Sequence, residues 1–368
     1  MQNKYFFSLF SLSLFSLVAS SFNAQAITIP QGVTLAPKQE YIFNLPSFPA
    51  TIDPGLIGDT LSARAAEPLF DTLYRLGSSG DFLPTAASGY KVSDDQLTWT
   101  FYLRPEATWH DGKPVTAQDF IYAWQRLAAH DSRSIFANAF VNMHVVNADG
   151  VYQRLIKVEE LGISALDSHT LEIKLYQPTP WLLQIIANLA LAPVRQDLIE
   201  KYGSAWTQPE HFIGNGPYTL STYLPNDQIT YQKREDYWDS QNIYITQAKA
   251  IFSEPRIAYY RYLTGEILVT EVFKGISKQV FAERPSEVYL TPRNASYYLN
   301  LNSQSFADLK VRQALALLTD TQYLSKHIVL GATATSIFAP TSLQDGQYQK
   351  QAPYFYNFPS DNNAQAIA

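Results

Sequence analysis

The stretch Leu97–Ala128, LTWTFYLRPEATWHDGKPVTAQDFIYAWQRLA, leaves the chain few ways to fold. Leu97, Trp99, Phe101 and Leu103 alternate with Thr98, Thr100 and Tyr102, which is the period of a strand with one buried face. Arg104-Pro105 stops that strand, and His110-Asp111-Gly112-Lys113-Pro114 holds residues that reverse a chain. A helix is predicted next, with Thr116 as N-cap and Asp119 three residues on, so that a carboxylate sits at the positive helix end. Phe120, Trp124 and Leu127 then recur at helical spacing and should lay this helix on the sheet.

The N-terminus has a different character. Lys4, the apolar run Tyr5–Ala19 broken by serines, and Ala24-Gln25-Ala26 predict a cleavable export signal over residues 1–26, cut after Ala26. No stop-transfer pattern follows it and no second run of spanning length occurs, so stable membrane insertion is not expected. The mature chain would have 368 − 26 = 342 residues, enough for two or three lobes with cores of their own. There is no cysteine, hence no disulfide, no thiol chemistry and no lipidated cysteine as anchor. Losing Lys4 with the signal takes the net charge from −6 to about −7, which argues against nucleic acid or anionic membrane surfaces as partners. The 24 tyrosines read first as sheet-core residues.

Further along, a strand is predicted around Tyr41-Ile42-Phe43, then a proline-rich loop to Asp53-Pro54 and a helix from Leu61 towards Leu73. Asp167-Ser168 turns into an alternating strand Leu171–Leu175. Thr179-Pro180 reads as N-cap and first residue of a helix over Trp181–Leu191 that Pro193 ends. Tyr218–Leu220 and Ile229–Tyr231 form a hairpin through Pro225-Asn226-Asp227. A helix Arg256–Thr264 ends at Gly265 and hands over to Glu266–Val269, which suggests a crossover and a mixed sheet. Tyr297–Asn302 reads as a strand, and Leu309, Val311, Ala314, Leu315 and Leu318 stripe a helix whose apolar side needs a cover. Residues 362–368 open a further helix without a C-cap.

Signatures of catalysis are missing. No G-x-S-x-G elbow, H-E-x-x-H pair or G-x-x-x-x-G-K loop occurs. His110-Asp111 reads as a turn between strand and helix rather than a dyad or half a metal site. Gly214-Asn215-Gly216 precedes a strand, so close backbone packing explains it better than a dinucleotide fingerprint. Asn294-Ala295-Ser296 matches a glycosylation sequon by letters alone.

The order strand, R-P-E-A, W-H-D-G-K-P-V-T-A-Q-D-F and Y-A-W-Q-R-L resembles the large extracellular solute-binding proteins of family 5 that serve peptide ABC importers. The resemblance continues through Pro30–Gln39, Trp206-Thr207-Gln208-Pro209, Asn215-Gly216-Pro217-Tyr218 and Asp308–Leu315, nearly all of the exported part, and is densest with the oligopeptide-binding members. It implies an α/β fold of the periplasmic-binding-protein type, multi-lobed, with mixed sheets and a cleft between lobes. Residues 27–70 and 195–295 would form a discontinuous first lobe, 71–194 a smaller second lobe, and 296–368 the start of an incomplete third, since the family is longer than this chain. A periplasmic monomer is implied that captures an oligopeptide and delivers it to a permease complex in the inner membrane, without cofactor, metal or catalysis. Dipeptides, murein peptides or another small solute are alternative ligands. An inactive truncated product and, remotely, a secreted hydrolase are the alternatives of other kinds.

A receptor for many peptides must hold the main chain and leave side chains in wet, roomy pockets. The resemblance implies that Ile57-Gly58-Asp59-Thr60 lies at the cleft and offers main-chain groups, although the same four residues also read as a surface loop. Phe136 stands where the family has a ligand-facing Tyr and lacks its hydroxyl. Tyr297, Tyr298 and Asn300 lie on a strand that the family places beside the ligand, where alternate residues face the core. The family's aspartate for the peptide α-amino group belongs to a C-terminal portion that this chain does not contain, which weakens the expected affinity.

Overall fold

A computed structural model describes residues 32–78, 80–272, 275–290, 296–329, 332 and 334–335. The predicted signal at 1–26 and the predicted helix at 362–368 lie outside them. Two compact units result: residues up to Ile42 with Ser47–Phe252, and Phe43–Pro46 with the residues from Ser253 on.

The first unit is built on two four-stranded sheets. In chain order its strands are β1 (Glu40–Leu45, which runs across the division), β2 (Tyr74–Leu76), β3 (Phe82–Pro84), β4 (Ala87–Val92), β5 (Thr98–Leu103), β6 (Ile163–Asp167), β7 (Thr170–Lys174), β8 (Tyr218–Leu224), β9 (Gln228–Lys233) and β10 (Gln247–Phe252). One sheet has the order β4-β5-β7-β6, entirely antiparallel; another has the order β1-β10-β9-β8; β2 and β3 form a small ribbon. The alternation predicted for β5 is realised: Trp99, Phe101 and Leu103 are buried while Tyr102 is exposed. Phe101 faces Leu171, and Trp99 faces Ile173, across the β5–β7 ladder. A side chain that slipped by one residue would place these rings in water, so this face fixes the register.

The helices are α1 (Thr60–Ala66), α2 (Ala117–Ala128), α3 (Ala139–Asn142), α4 (Ala148–Tyr152), α5 (Leu182–Ile186) and α6 (Gln196–Tyr202). At the start of α2, Asp119 Oδ2 accepts from both the Thr116 N–H and its hydroxyl at 2.8 Å. Phe120, Trp124 and Leu127 are buried as the stripe requires, and the Trp124 indole N–H donates to Leu191 O at 2.9 Å. Burial of Phe120 and Leu127 contributes roughly 1.5–3 kcal/mol each. On the other sheet, the buried Tyr231 hydroxyl donates to Ala65 O at 2.8 Å and ties β9 to α1. The β8–β9 hairpin turns through Asn226, which takes φ +60°.

Two helices are shorter than predicted. The one beginning at Thr60 stops at Ala66 and yields to a 3-10 turn, Glu67–Leu69, because Pro68 cannot continue an α-helix. Thr179 does not cap the next: its hydroxyl donates to Met143 O at 3.0 Å. That helix shrinks to Leu182–Ile186 and breaks at Asn188, whose side chain caps a separate 3-10 turn, Leu189–Leu191.

The second unit contains α7 (Pro255–Leu263), α8 (Ser277–Glu283), α9 (Leu309–Leu318) and α10 (Thr321–His327). Gly265 takes φ +75° just past α7, and Val269 then bridges Phe43 in parallel, the crossover sense expected of this segment. Asp308 caps α9 through Lys310 N–H at 2.8 Å, but no residue of α9 is buried, and Leu309, Val311 and Leu318 are exposed. The strand predicted at Tyr297–Asn302 is not formed: no β-ladder joins these residues to a strand among the described residues.

Candidate functional site

The segment Ile57–Thr60 is fixed at both ends by short side chains. Thr51 Oγ1 accepts from Asp53 N–H at 3.0 Å and Asp53 Oδ1 from Gly55 N–H at 3.1 Å, closing a 3-10 turn over Pro54–Leu56. At the exit Asp59 caps α1, accepting from Ser62 N–H at 2.8 Å and from the Ser62 hydroxyl at 2.7 Å. The Ser62 hydroxyl, then its N–H, hold the Asp59 carboxyl below its ordinary pKa. Ile57 is buried, whereas Gly58, Asp59 and Thr60 are exposed. Among the described residues, neither the N–H nor the C=O of Gly58 has a hydrogen-bond partner.

Gly58 also lies against Ile135, whose Cδ1 would be 3.8 Å from a Cβ built on the glycine. Half-buried Phe136 follows directly, its N–H donating to Ser134 Oγ at 3.1 Å. The fold thus brings Ile57–Thr60 beside the 135–136 loop in one unit. Tyr297, Tyr298 and Asn300 belong to the other unit and are exposed, Tyr297 by 91%. A cavity of about 380 Å³ in that unit is lined by α7 and α8 and by none of these residues.

Sequence reasoning missed what anchors the segment. Both Asp53 carboxylate oxygens accept from the Arg126 guanidinium, Oδ1 at 3.0 Å, and Oδ2 also accepts from the Trp206 indole N–H at 3.2 Å. Asp53 is buried and Arg126 about a quarter exposed. Thr51, Leu56, Ile199, Ser204 and Thr207 complete a cleft of about 200 Å³ around this pair. The partners are 73 and 153 residues away in sequence, so no local pattern reveals them; only the Asp53-Pro54 turn and the Trp206 motif were visible separately.

A second network ties the segment before β2 to the segments flanking β8 and β9. Asn215 accepts from Asp71 N–H at 3.0 Å and donates to Asp71 O at 2.9 Å. The Asp71 carboxylate accepts from the Tyr237 hydroxyl at 2.7 Å and the Trp238 indole at 3.3 Å. Burial nonetheless pushes its pKa up to about 6. Nearby, burial and then the Arg234 charge lower His110 to about 4. His110-Asp111 is a turn, as expected: Asp111 accepts from Arg195 Nη1 at 2.8 Å.

The two shifts act on stability with opposite signs. Folded Asp71 keeps its proton to a higher pH than the unfolded chain, so its contribution is lost as pH rises from about 4 through 6. Folded His110 refuses a proton that the unfolded chain accepts, so its contribution is lost as pH falls through the same range. Asp71→Asn keeps an acceptor and removes the buried charge. It is expected to stabilise the protein at pH 7.5, by up to about 3 kcal/mol, and to have almost no effect at pH 4. Urea unfolding at the two pH values checks this, and an equal difference at both refutes it.

Residues 81–366 match the family described as bacterial extracellular solute-binding proteins, family 5 Middle. The periplasmic oligopeptide-binding protein OppA of Haemophilus influenzae is 31% identical over 375 residues, covering 100% of this chain and 68% of the relative. The structure of the Escherichia coli murein tripeptide binding protein MppA superposes with a TM-score of 0.82 at 32% identity, over 91% of this chain and 66% of that one. The crystal structure of H. influenzae OppA in complex with RPPGFSPFR gives 0.80 at 29% identity, with the same shares. The chain spans about two thirds of the length of these relatives. A match of this extent, in sequence and in fold, means that the chain belongs to the bacterial extracellular solute-binding proteins of family 5.

Proposed function

We propose that this chain is the substrate-binding component of an ABC importer for oligopeptides, working in the periplasm after cleavage behind Ala26. The observation that carries the reading is Gly58, an exposed residue with both main-chain groups unpaired, in a segment clamped at each end by an aspartate cap. Such groups suit an extended peptide added as a strand, because main-chain pairing is indifferent to peptide sequence. Their fixed positions lower the entropy lost on binding.

Ile57, Gly58, Asp59 and Thr60 would supply main-chain contacts. Phe136 would give an apolar wall, and Tyr297, Tyr298 and Asn300 would be further ligand contacts. The lobes 27–70 with 195–295, 71–194 and 296–368 belong to this proposal, as do a monomeric state, a permease as receiving partner and the absence of catalysis. The likeness to a murein tripeptide binding protein favours murein peptides as the second ligand class.

Thermal unfolding with and without a pool of two- to five-residue peptides, and separately with a murein tripeptide, tests the reading. A ligand that binds only the native state at a hundredfold excess over Kd stabilises it by about 2.7 kcal/mol. A raised midpoint with the pool is the expected result. A rise with the tripeptide alone selects the second class, and a cooperative transition unmoved by either overturns the proposal.

A further inference from the structure

We propose that Asp53, Arg126 and Trp206 are positioning residues for ligand capture: one buried carboxylate, held by a guanidinium and an indole N–H, sets where the Gly58 main chain stands. This inference rests on the reading of Ile57–Thr60 as the ligand-facing segment. Asp53 Oδ1 does two things at once, capping Gly55 N–H at 3.1 Å and accepting from Arg126 Nη1 at 3.0 Å, so the turn and the ion pair cannot move independently. Arg126 stands in the last turn of α2, whose stripe is sunk in the core, and Trp206 stacks on Phe212 and meets Phe70 edge-on. Both partners are therefore rigid, and both are far from Asp53 in sequence.

The turn itself is weak without them. Its main-chain bonds are Leu56 N–H to Asp53 O at 3.0 Å and Ile57 N–H to Pro54 O at 3.4 Å, the second long for a hydrogen bond. With only these two bonds, Leu56 exposed within the turn and Gly58, Asp59 and Thr60 exposed just beyond it, the stretch opens readily unless something buried holds it. The ion pair is an unusual choice for stability alone, since desolvation offsets much of its attraction. Its bidentate geometry fixes orientation better than an apolar contact of the same volume.

Hydrogen exchange of the Gly55–Ile57 amides, measured together with peptide affinity at a temperature well below the unfolding midpoint, tests the proposal. Asp53→Asn keeps an acceptor for Gly55 and removes the charge; Arg126→Gln removes the fork. Each is expected to speed exchange in this segment by about tenfold or more, with a comparable loss of peptide affinity. Trp206→Phe keeps the ring and deletes one donor, and should act in the same direction by a smaller factor. Leu171→Ala, in the buried face of β7, lowers the midpoint but leaves exchange at 55–57 and affinity unchanged. Unaltered exchange in any folded variant of Asp53 or Arg126, or acceleration equal to that in β4–β7, overturns the positioning role. If the unsubstituted protein binds no peptide, the functional reading falls by itself, and the exchange data still decide whether the three residues hold the segment.

Discussion

Gly216→Ala is expected to cost the first unit at least about 3 kcal/mol and to leave it unfolded or barely folded at 37 °C. A Cβ at this position would lie 2.5 Å from both Leu69 C and Phe70 N and 2.8 Å from Pro68 O, all main-chain atoms with no rotamer to escape into. Overpacking usually costs 1–3 kcal/mol when side chains can give way. Here the backbone itself must move, and it carries other bonds with it. Gly216 N–H donates to Leu69 O at 3.0 Å, and the neighbouring Asn215 exchanges two hydrogen bonds with Asp71. Each such bond contributes about 1 kcal/mol, so the larger figure follows. Gly89→Ala is the matched control, because its Cβ would meet nothing within 4 Å. Urea unfolding of both variants decides the matter, and a loss below about 1 kcal/mol for Gly216→Ala would contradict the packing argument.

Arg234→Met should cost about 3–5 kcal/mol, the usual result of removing one member of a buried charged network. The Arg234 side chain is only 1% exposed. Nη1 donates to Thr108 O at 3.0 Å and Gly216 O at 3.2 Å, while Nη2 reaches Thr108 Oγ1 at 2.9 Å and Trp109 O at 3.1 Å. Asp236 completes the set at 3.0 and 3.2 Å, but its side chain is mostly exposed. Which partners matter can therefore be separated. The carbonyls have no water to turn to once the guanidinium is gone, whereas Asp236 does. Asp236→Asn should change stability by less than about 1 kcal/mol, in line with exposed ion pairs. Arg234→Lys should recover only part of the loss, because one ammonium cannot span three carbonyls on a planar fork. Denaturant midpoints of the three variants test the ranking; an Asp236→Asn loss as large as that of Arg234→Met would mean that the ion pair, not the carbonyl set, is the source.

Much of the architecture was legible in residue order. The alternation at Trp99, Phe101 and Leu103, the Thr116–Asp119 cap, the stripe at Phe120, Trp124 and Leu127, the hairpin turn at Asn226 and the glycine at 265 each express a rule that acts over a few residues. Failures came where a local signal competed with a distant partner. Thr179 had the look of a cap, but Met143 O claimed its hydroxyl. Tyr297–Asn302 had a strand's composition, yet a strand needs a ladder to a neighbouring strand, and no ladder reaches these residues among the described ones.

By itself, then, the sequence determined the periods, turns and caps, and through its motifs the family, because those depend on residues close together along the chain. Only the tertiary structure decided that Asp53 meets Arg126 and Trp206, that Asp71 is buried among Tyr237, Trp238 and Asn215, and that Gly216 touches the backbone of Leu69. The reason is physical. A buried polar group takes whichever partner the packed fold brings within about 3 Å, and packing joins residues without regard to their separation in sequence.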